Sequence, residues 1–235
     1  MTHAAPPPRL PPAVLIELMR LASPALPVGG FSYSEALEAA VDRGCVSDVE
    51  SARAWLLDQL ELSVARCDLP VVAAAHDAWS REDFSQVSAL NTWATTVRET
   101  REMQLQAQQM GRSLLEWLRQ RAPAGAAIDH AAGLKPAPVW PVVFALAAVH
   151  AHAPVHDSLI TFVLGWAENM VQASIKAVPL GQSAGQRLLD ALAAAAPAAV
   201  ARALATPSGQ RQAFTPMLAI LSAQHETQYS RLFRS

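Results

Sequence analysis

Residues 23–38 read Ser-Pro-Ala-Leu-Pro-Val-Gly-Gly-Phe-Ser-Tyr-Ser-Glu-Ala-Leu-Glu, the least generic run in an alanine-rich chain. The two prolines disfavour helix before them, while Gly29 and Gly30 allow the positive φ values that a sharp reversal needs. No Lys-Ser or Lys-Thr pair follows the glycines, so the turn does not match a phosphate-binding P-loop. The stretch therefore predicts a tight turn that leads into a helix.

The helix after this turn has sequence signals at both ends. Ser32 and Glu35 have the spacing of a capping box, which places the first helical residue at about Tyr33, and Gly44 is a suitable stop. This helix is predicted to have one buried face and one acidic face, the acidic face meeting either solvent or another protein. The buried face carries Tyr33, Leu37, Ala40 and Val41, and the acidic stripe carries Glu35, Glu38 and Asp42.

The rest of the chain repeats apolar residues at steps of three and four, and it shows no alternating strand pattern. We therefore expect an all-α fold with a single globular domain of about 8–10 helices. The proline-rich residues 1–12 are predicted to be a disordered lead-in, residues 13–224 the helical domain, and residues 225–235 a C-terminal docking tail.

Prolines and glycines predict where helices are interrupted. Pro70 is expected to interrupt one helix, and residues 121–138 are predicted to form a mobile loop that marks a candidate subdomain boundary. Residues 179–186 are predicted to form a turn, and Pro197 a further turn or kink. The first helix, Ala13 to Ala22, is expected to bury Leu15, Leu18, Met19 and Ala22.

The longest clean helix is predicted from Arg98 to Arg119. Its polar face either meets solvent or offers hydrogen bonds to a partner. A second long helix is predicted to end near Lys176, where a lysine stabilises the last carbonyls by roughly 0.3–1 kcal/mol. Its buried face is expected to carry Leu159, Phe162, Val163, Trp166, Met170 and Ala173. On the first of these helices the apolar face carries Met103, Ala107, Met110, Leu114 and Leu118, and the polar face carries Arg98, Glu99, Arg101, Glu102, Gln104, Gln106, Gln108, Gln109 and Arg112.

The composition argues against several functional classes. The chain has 18 Lys+Arg, 20 Asp+Glu and a net charge of -2, which argues against nucleic-acid binding. Hydrophobic residues make up 51%, which indicates surface reserved for protein partners. Cys45 and Cys67 match neither a zinc site nor a disulfide scaffold, so a reducing, cytoplasmic location is expected. Residues 139–155 are apolar but too short and interrupted to span a membrane.

The only candidates for metal binding or catalysis are His150, His152 and His156. Positions two apart on a helix point to different faces, and Pro154 breaks the segment, so no preformed metal site is implied. No nucleophile with an adjacent base is recognisable. A metal-dependent helical hydrolase or a nickel-binding protein that uses these histidines stays as the alternative function. No cofactor is expected for the main interpretation.

The C-terminal tail reads His-Glu-Thr-Gln-Tyr-Ser-Arg-Leu-Phe-Arg-Ser, residues 225–235. The sequence shows no core for it to join. Its aromatic and arginine side chains are typical of a segment that docks on a partner, although a fraying tail has a similar composition.

Three separated stretches resemble the urease accessory protein UreF family. Residues 26–34, together with Leu37 and Glu38, are similar to its N-terminal signature, Lys176 with residues 178–182 to its central one, and residues 225–235 to its terminal one. With the helix order, the resemblance covers nearly the whole chain. One departure is Ala36, where the family commonly has Gly. Since Ala favours helix by about 1 kcal/mol, we expect little change there beyond less room for close approach.

The resemblance implies an all-α, usually dimeric protein that is not itself an enzyme. It implies binding to UreD (also called UreH), recruitment of the GTPase UreG, and help in loading nickel into apo-urease, with GTP hydrolysis either activated or gated. The tail would order against UreD, while other candidates would contact UreG or form the dimer. The implied partner-binding residues are Tyr33, Ser34, Glu38, Arg101, Lys176, Gln182, Gln186, Arg187, His225, Glu226, Gln228, Tyr229, Arg231, Phe233 and Arg234.

Overall fold

The computed structural model describes residues 10–121 and 124–235, so most of the predicted lead-in, residues 1–9, lies outside the described residues. The described chain is all α-helical, as predicted, and has no strand. Its helices number ten when the continuous run formed by the third and fourth segments is counted once. The segments are α1 (Pro12–Ala22), α2 (Leu37–Asp42), α3 (Val49–Gln59), α4 (Leu69–Ser80), α5 (Phe84–Thr96), α6 (Arg101–Arg119), α7 (Ala126–Gly133), α8 (Trp140–His150), α9 (Val155–Ala177), α10 (Gln182–Ala205) and α11 (Pro216–His225).

The core forms around α8 and α9. Every residue of α8 from Pro141 to Ala148 is buried, because this helix is apolar on all sides and packs against both α4 and α6. α9 buries Phe162, Trp166 and Met170, as predicted, and contacts α1 and α10. A single cluster of buried apolar side chains includes residues from the first helix to the C-terminal tail.

Pro70 does not interrupt its helix, so that prediction was wrong. A π-helical segment, Leu60–Asp68, joins α3 to α4 without a break. A proline inside a helix lacks an amide and clashes with the carbonyl four residues before it. Here that carbonyl belongs to Arg66, and it accepts a hydrogen bond from the Gln212 amide at 3.2 Å. The wider π turn and the outside donor let the helix continue.

Three other predicted interruptions also contain helix. Residues 121–138 contain α7, whose Ile128 and Ala131 are buried, so this stretch is not the predicted loop, although residues 122–123 lie outside the described ones. α10 begins inside the turn predicted for residues 179–186, and it continues through Pro197, so Pro197 does not start the new turn that was one of its two predicted roles. The alanines around this proline have the highest helix propensity, and buried Ala196 and Ala199 hold this part of α10 against the core.

α1 is rotated relative to the prediction. Its buried residues are Leu18 and Leu21, while Leu15 and Met19, which were expected inside, are exposed beside Ile16. A helix this rich in apolar residues offers more than one apolar stripe. Contact with α9 determines which stripe is buried. The exposed stripe is a separate apolar surface on the molecule.

α10 is long and apolar enough to cross a membrane by length and composition alone, with a mean hydropathy of 1.5 over its most apolar window. Much of that value comes from alanine. Its larger apolar side chains Leu188, Leu192 and Val200 are buried against neighbouring helices.

Candidate functional site

The predicted capping box of Ser32 and Glu35 is wrong. A 3₁₀ turn covers Gly30–Ser32, and α2 begins only at Leu37. Between them, Glu35 and Ala36 have φ values of 49° and 63°, a region that residues with a Cβ rarely adopt. This left-handed turn directs the Glu35 carboxylate toward α6 and α9 instead of along a solvent face.

Glu38 was also expected on an acidic surface, but it is only 7% exposed. Its Oε1 accepts a hydrogen bond from the Leu232 amide at 2.7 Å, and its Oε2 accepts one from the Phe233 amide at 3.0 Å. Hydrogen bonds to an ionised acceptor are stronger than those between neutral groups. Glu38 therefore anchors the backbone of the C-terminal tail to α2.

His225 is fully buried between two carboxylates. Its Nε2 lies 3.2 Å from Glu38 Oε2, and its Nδ1 lies 2.8 Å from Glu102 Oε2. Arg231 donates to the other oxygen of Glu102 at 2.7 Å. Four ionisable side chains from α2, α6, α11 and the tail thus form one cluster. We call Glu38, Glu102, His225 and Arg231 the clasp.

The end of α11 also caps the start of α6. Glu226 Oε1 accepts a hydrogen bond from the Glu102 amide at 3.1 Å, and the hydroxyls of Ser222 and Thr100 lie 2.7 Å apart. The first amides of a helix have no acceptor within the helix, so an outside carboxylate satisfies one of them. α11 and α6 are therefore joined at the base of the tail.

The last residue, Ser235, is buried. Its carbonyl oxygen accepts hydrogen bonds from the Ser34 amide and hydroxyl, and its own hydroxyl donates to Gln106 at 2.8 Å. Gln106 in turn donates to Glu35 at 2.9 Å, and the Trp166 indole donates to the other oxygen of Glu35 at 2.9 Å. A continuous hydrogen-bonded path joins the tail, the turn, α6 and α9.

Lys176 brings the central signature to the same place. Its ammonium lies 5.9 Å from the ring centre of Phe233, which is buried, so a cation–π contact adds to its position near the last carbonyls of α9. All three stretches that carry the family resemblance therefore meet where the tail docks. The tail has a core to join, contrary to the expectation from its sequence.

The docked tail leaves apolar side chains facing outward. Tyr229 is fully exposed and Leu232 is 71% exposed. Phe31 is 61% exposed and adjoins the tail, because the Arg234 amide donates to the Ser32 carbonyl at 2.8 Å. We call the exposed side chains Phe31, Tyr229 and Leu232 the apolar rim.

The predicted partner-binding residues separate into two groups. The buried group holds the tail in place, and the exposed group surrounds it or lies on α10. Within the described chain, no hydrogen bond joins the α10 members to the tail. The buried residues are Tyr33, Ser34, Glu38, His225 and Phe233; Gln228 is half-buried; the exposed residues are Arg101, Lys176, Gln182, Gln186, Arg187, Glu226, Tyr229, Arg231 and Arg234.

Sequence reasoning did not single out Glu102, Gln106 and Trp166 as partners of the turn and the tail. Glu102 and Gln106 were placed on a general polar face, and their spacing of four residues was the available signal that they share one stripe. Trp166 was assigned to the core by its period. Its indole donor, which needs an acceptor when buried, pointed to a polar neighbour.

A cavity of about 120 Å³ lies beneath the turn. It is lined by Glu35, by Cys67, by the ion pair of Arg98 with Asp68 at 2.7 Å, and by apolar residues of α6 and α9. Burial raises the pKa of Cys67 to about 12, so its thiol stays neutral. Burial also raises the pKa of Glu35, against the opposing hydrogen bonds from Trp166 and Gln106.

The three candidate histidines do not form a metal site. His150 ends α8, His152 is exposed in the following turn with φ 55°, and His156 lies in the first turn of α9 beside Asp157. Among residues 10–121 and 124–235, no three His, Cys, Asp or Glu side chains are grouped closely enough to hold a metal ion. The hydrolase alternative therefore has no site in the described chain.

Comparison with known proteins gives concordant matches. A family model described as UreF matches residues 46–193. Three proteins named "Urease accessory protein UreF" are similar over nearly their full lengths. The Methylibium petroleiphilum protein is 59% identical, covering 95% of this chain and 94% of the relative; that of Polaromonas sp. is 56% identical, covering 99% of each; and that of Cupriavidus necator is 46% identical, covering 94% of this chain and 97% of the relative.

Proposed function

Because the chain belongs to the UreF family of urease accessory proteins, we propose that it acts as a non-enzymatic scaffold during urease maturation. It binds UreD, also called UreH, and recruits the GTPase UreG, so that nickel is inserted into apo-urease in the cytoplasm. Nickel is the cargo of this process, and the scaffold itself holds no cofactor.

The observation that carries the proposal is the meeting of the three signature stretches at the docked tail. Ser34 and Glu38 bind the tail backbone, the tail side chains His225 and Phe233 are buried, and Lys176 contacts Phe233 from α9. A fraying tail that lies in solvent would make none of these buried contacts. The arrangement supports a segment held in one conformation for recognition.

We propose that UreD binds the apolar rim. Phe31, Tyr229 and Leu232 present large apolar side chains, and the exposed arginines Arg231 and Arg234 lie in the same tail as two of them. Protein interfaces commonly combine a central aromatic or aliphatic anchor with a polar border, and they are enriched in Tyr and Arg. Glu38 serves this interface from beneath, by holding the backbone of Leu232.

We propose that UreG meets the exposed polar residues beside the tail. Arg101 opens α6 next to the clasp, and Lys176 ends α9 against Phe233, so both border the tail while facing solvent. Gln182, Gln186 and Arg187 extend this polar surface along the start of α10. Through these contacts the scaffold sets the rate at which UreG hydrolyses GTP, which single-turnover GTPase assays with and without the chain will measure.

The UreD contact is tested by deleting residues 231–235 and measuring binding to UreD in a pull-down. The deletion removes the apolar Leu232 and the anchored Phe233, so we expect UreD binding to be lost while circular dichroism shows unchanged helix content. Unaltered binding by the truncated chain contradicts the proposal. The double variant Tyr229→Ala with Leu232→Ala tests the rim without shortening the chain, and Leu204→Ala on α10 is the matched exposed control.

The scaffold role as a whole is tested by reconstituting urease activation with and without this chain. Activation that is independent of the chain, with UreD, UreG and nickel all present, contradicts it.

A further inference from the structure

Two protons on the His225 ring satisfy both of its contacts when the neighbouring carboxylates are ionised. Each ring nitrogen faces a carboxylate oxygen, Nδ1 toward Glu102 at 2.8 Å and Nε2 toward Glu38 at 3.2 Å. An ionised carboxylate only accepts hydrogen bonds, and a neutral imidazole has only one N–H. Both contacts are hydrogen bonds between ionised groups only when His225 is an imidazolium.

The charges around this ring come from every element packed against it. Glu38 belongs to α2, Glu102 to α6, and Arg231 to the tail; Glu226, at the end of α11, directs its carboxylate to the α6 amide of Glu102. Lys176 of α9 reaches the tail from outside, over Phe233.

Within the clasp, two positive groups balance two negative ones. Loss of one proton from His225 leaves one negative charge without a partner, and it turns a ring lone pair toward a carboxylate oxygen. Breaking a buried ion pair by removing the charge of one partner is strongly unfavourable.

The tail depends on the same oxygen atoms. Oε2 of Glu38 accepts from both His225 and the Phe233 amide, while Oε1 accepts from the Leu232 amide. If Glu38 turns toward water to recover solvation, the backbone that presents Leu232 loses its anchor. The protonation state of one buried ring therefore affects the backbone that presents Leu232, one of the three side chains of the apolar rim.

We propose that His225 is a positioning residue whose doubly protonated ring holds the tail in its docked conformation. The tail then stays docked and presents its part of the apolar rim at low pH, and it detaches as the pH rises. The partner is the UreD-class protein, and this part of the inference rests on the proposed function. The charge-dependent closure of the tail does not.

Hydrogen exchange of the full-length chain, measured without any partner, tests the closure. Protection of the amides of residues 232–234, corrected for the intrinsic pH dependence of exchange, is expected to fall as the pH is raised stepwise from mildly acidic to alkaline values. Protection of the α8 amides serves as the internal reference. Constant protection of the tail across this range overturns the inference.

The variant Glu102→Gln removes the need for the second proton. The glutamine amide donates to Nδ1 of a neutral ring, whose Nε2–H still serves Glu38, and the glutamine oxygen still accepts from Arg231. We expect a docked tail whose protection no longer changes with pH. Glu116→Gln, an exposed position on the same helix, is the matched control and keeps the wild-type pH dependence. A wild-type pH dependence in Glu102→Gln contradicts the inference.

UreD affinity measured over the same pH range separates this inference from the function on which it rests. Binding linked to one proton changes by at most about tenfold per pH unit. We expect wild-type affinity to weaken with a slope approaching this limit and Glu102→Gln to lose that slope. If tail protection falls as the pH rises but the chain never binds UreD, the pH-dependent docking of the tail is supported and the proposed UreD binding is contradicted. UreD binding with flat protection and a flat affinity profile overturns the closure and keeps the scaffold function.

Discussion

At the residue scale, Ala36 shows why a helix propensity argument fails in a turn. The departure from the family glycine was expected to change little because alanine favours helix. Ala36 instead has φ 63°, where glycine is the favoured residue and alanine is strained by roughly 1–2 kcal/mol.

Ala36→Gly and Ala40→Gly form a matched pair that tests this strain. Both alanines are buried, but Ala40 lies inside α2. We expect Ala40→Gly to lower the free energy of unfolding by about 1 kcal/mol or more. Ala36→Gly is expected to stay within about 0.5 kcal/mol of wild type, because relief of strain offsets the lost methyl and the added chain entropy. Urea unfolding measures both, and equal losses at the two positions contradict the left-handed assignment.

The raised pKa of Glu35 predicts that the stability of the folded chain depends on pH. Burial raises its pKa above the ordinary value of 4.5, so the folded chain binds this proton more tightly than the unfolded chain does. This tighter proton binding stabilises the folded chain fully at pH values below the pKa that Glu35 has in the unfolded chain. The stabilisation is lost as the pH rises through the higher pKa that Glu35 has in the folded chain.

Urea unfolding of wild type and Glu35→Gln at a series of pH values above 4.5 measures this dependence. We expect the free energy of unfolding of wild type to fall relative to that of the variant as the pH rises, because glutamine cannot ionise. Parallel curves for the two proteins show that Glu35 does not titrate with a raised pKa.

At the scale of elements, the crossing of α6 over the start of α8 depends on Gly111. A Cβ at this position would lie 2.2 Å from the carbonyl oxygen of Pro138 and 2.7 Å from the carbonyl carbon of Val139. Both are backbone atoms, so the helices must separate to admit it.

Gly111→Ala is therefore expected to lower the free energy of unfolding by about 2 kcal/mol or more, since overpacking of this kind commonly costs about 1–3 kcal/mol. Gly133→Ala in α7, where no heavy atom lies within 4 Å of a Cβ, is the control and is expected to be neutral or stabilising. Thermal unfolding of the two variants compares them directly. A neutral Gly111→Ala contradicts the close approach.

At the scale of the whole molecule, the apolar stripe on α1 is a second surface, distinct from the apolar rim. Leu15, Ile16 and Met19 are exposed, and Leu164 of α9 is exposed near the line where the two helices meet, since Gly165 lies against Ala22. Contiguous exposed apolar side chains of this size commonly mark protein interfaces. We propose that this stripe forms the homodimer contact implied by the family.

Ile16→Glu is expected to convert a dimer into a monomer, because it places a charge inside the proposed contact. Light scattering coupled to size-exclusion chromatography measures the mass, and Leu204→Glu, at an exposed position on α10, is the control that keeps the dimer. A dimer that survives Ile16→Glu places the contact elsewhere.

The sequence by itself determined the helical class, most helix positions and the apolar faces of α6 and α9, because those features depend on periodicity within one segment. It also indicated which three stretches carry the family resemblance. Only the tertiary structure decided that Pro70 stays within a helix, because the Gln212 amide comes from a distant part of the chain. The tertiary structure also decided which stripe of α1 is buried, because α9, which packs against α1, likewise comes from a distant part of the chain.

The opening turn shows the same division within one stretch. Gly29 and Gly30 required a reversal, and the structure has one. The direction of Glu35 and Glu38 was set by the partners that meet them, namely Gln106, Trp166 and the tail backbone. A carboxylate is buried where hydrogen-bond donors in the interior can satisfy it, and otherwise it faces solvent. Those donors are supplied by packing, which local spacing does not encode.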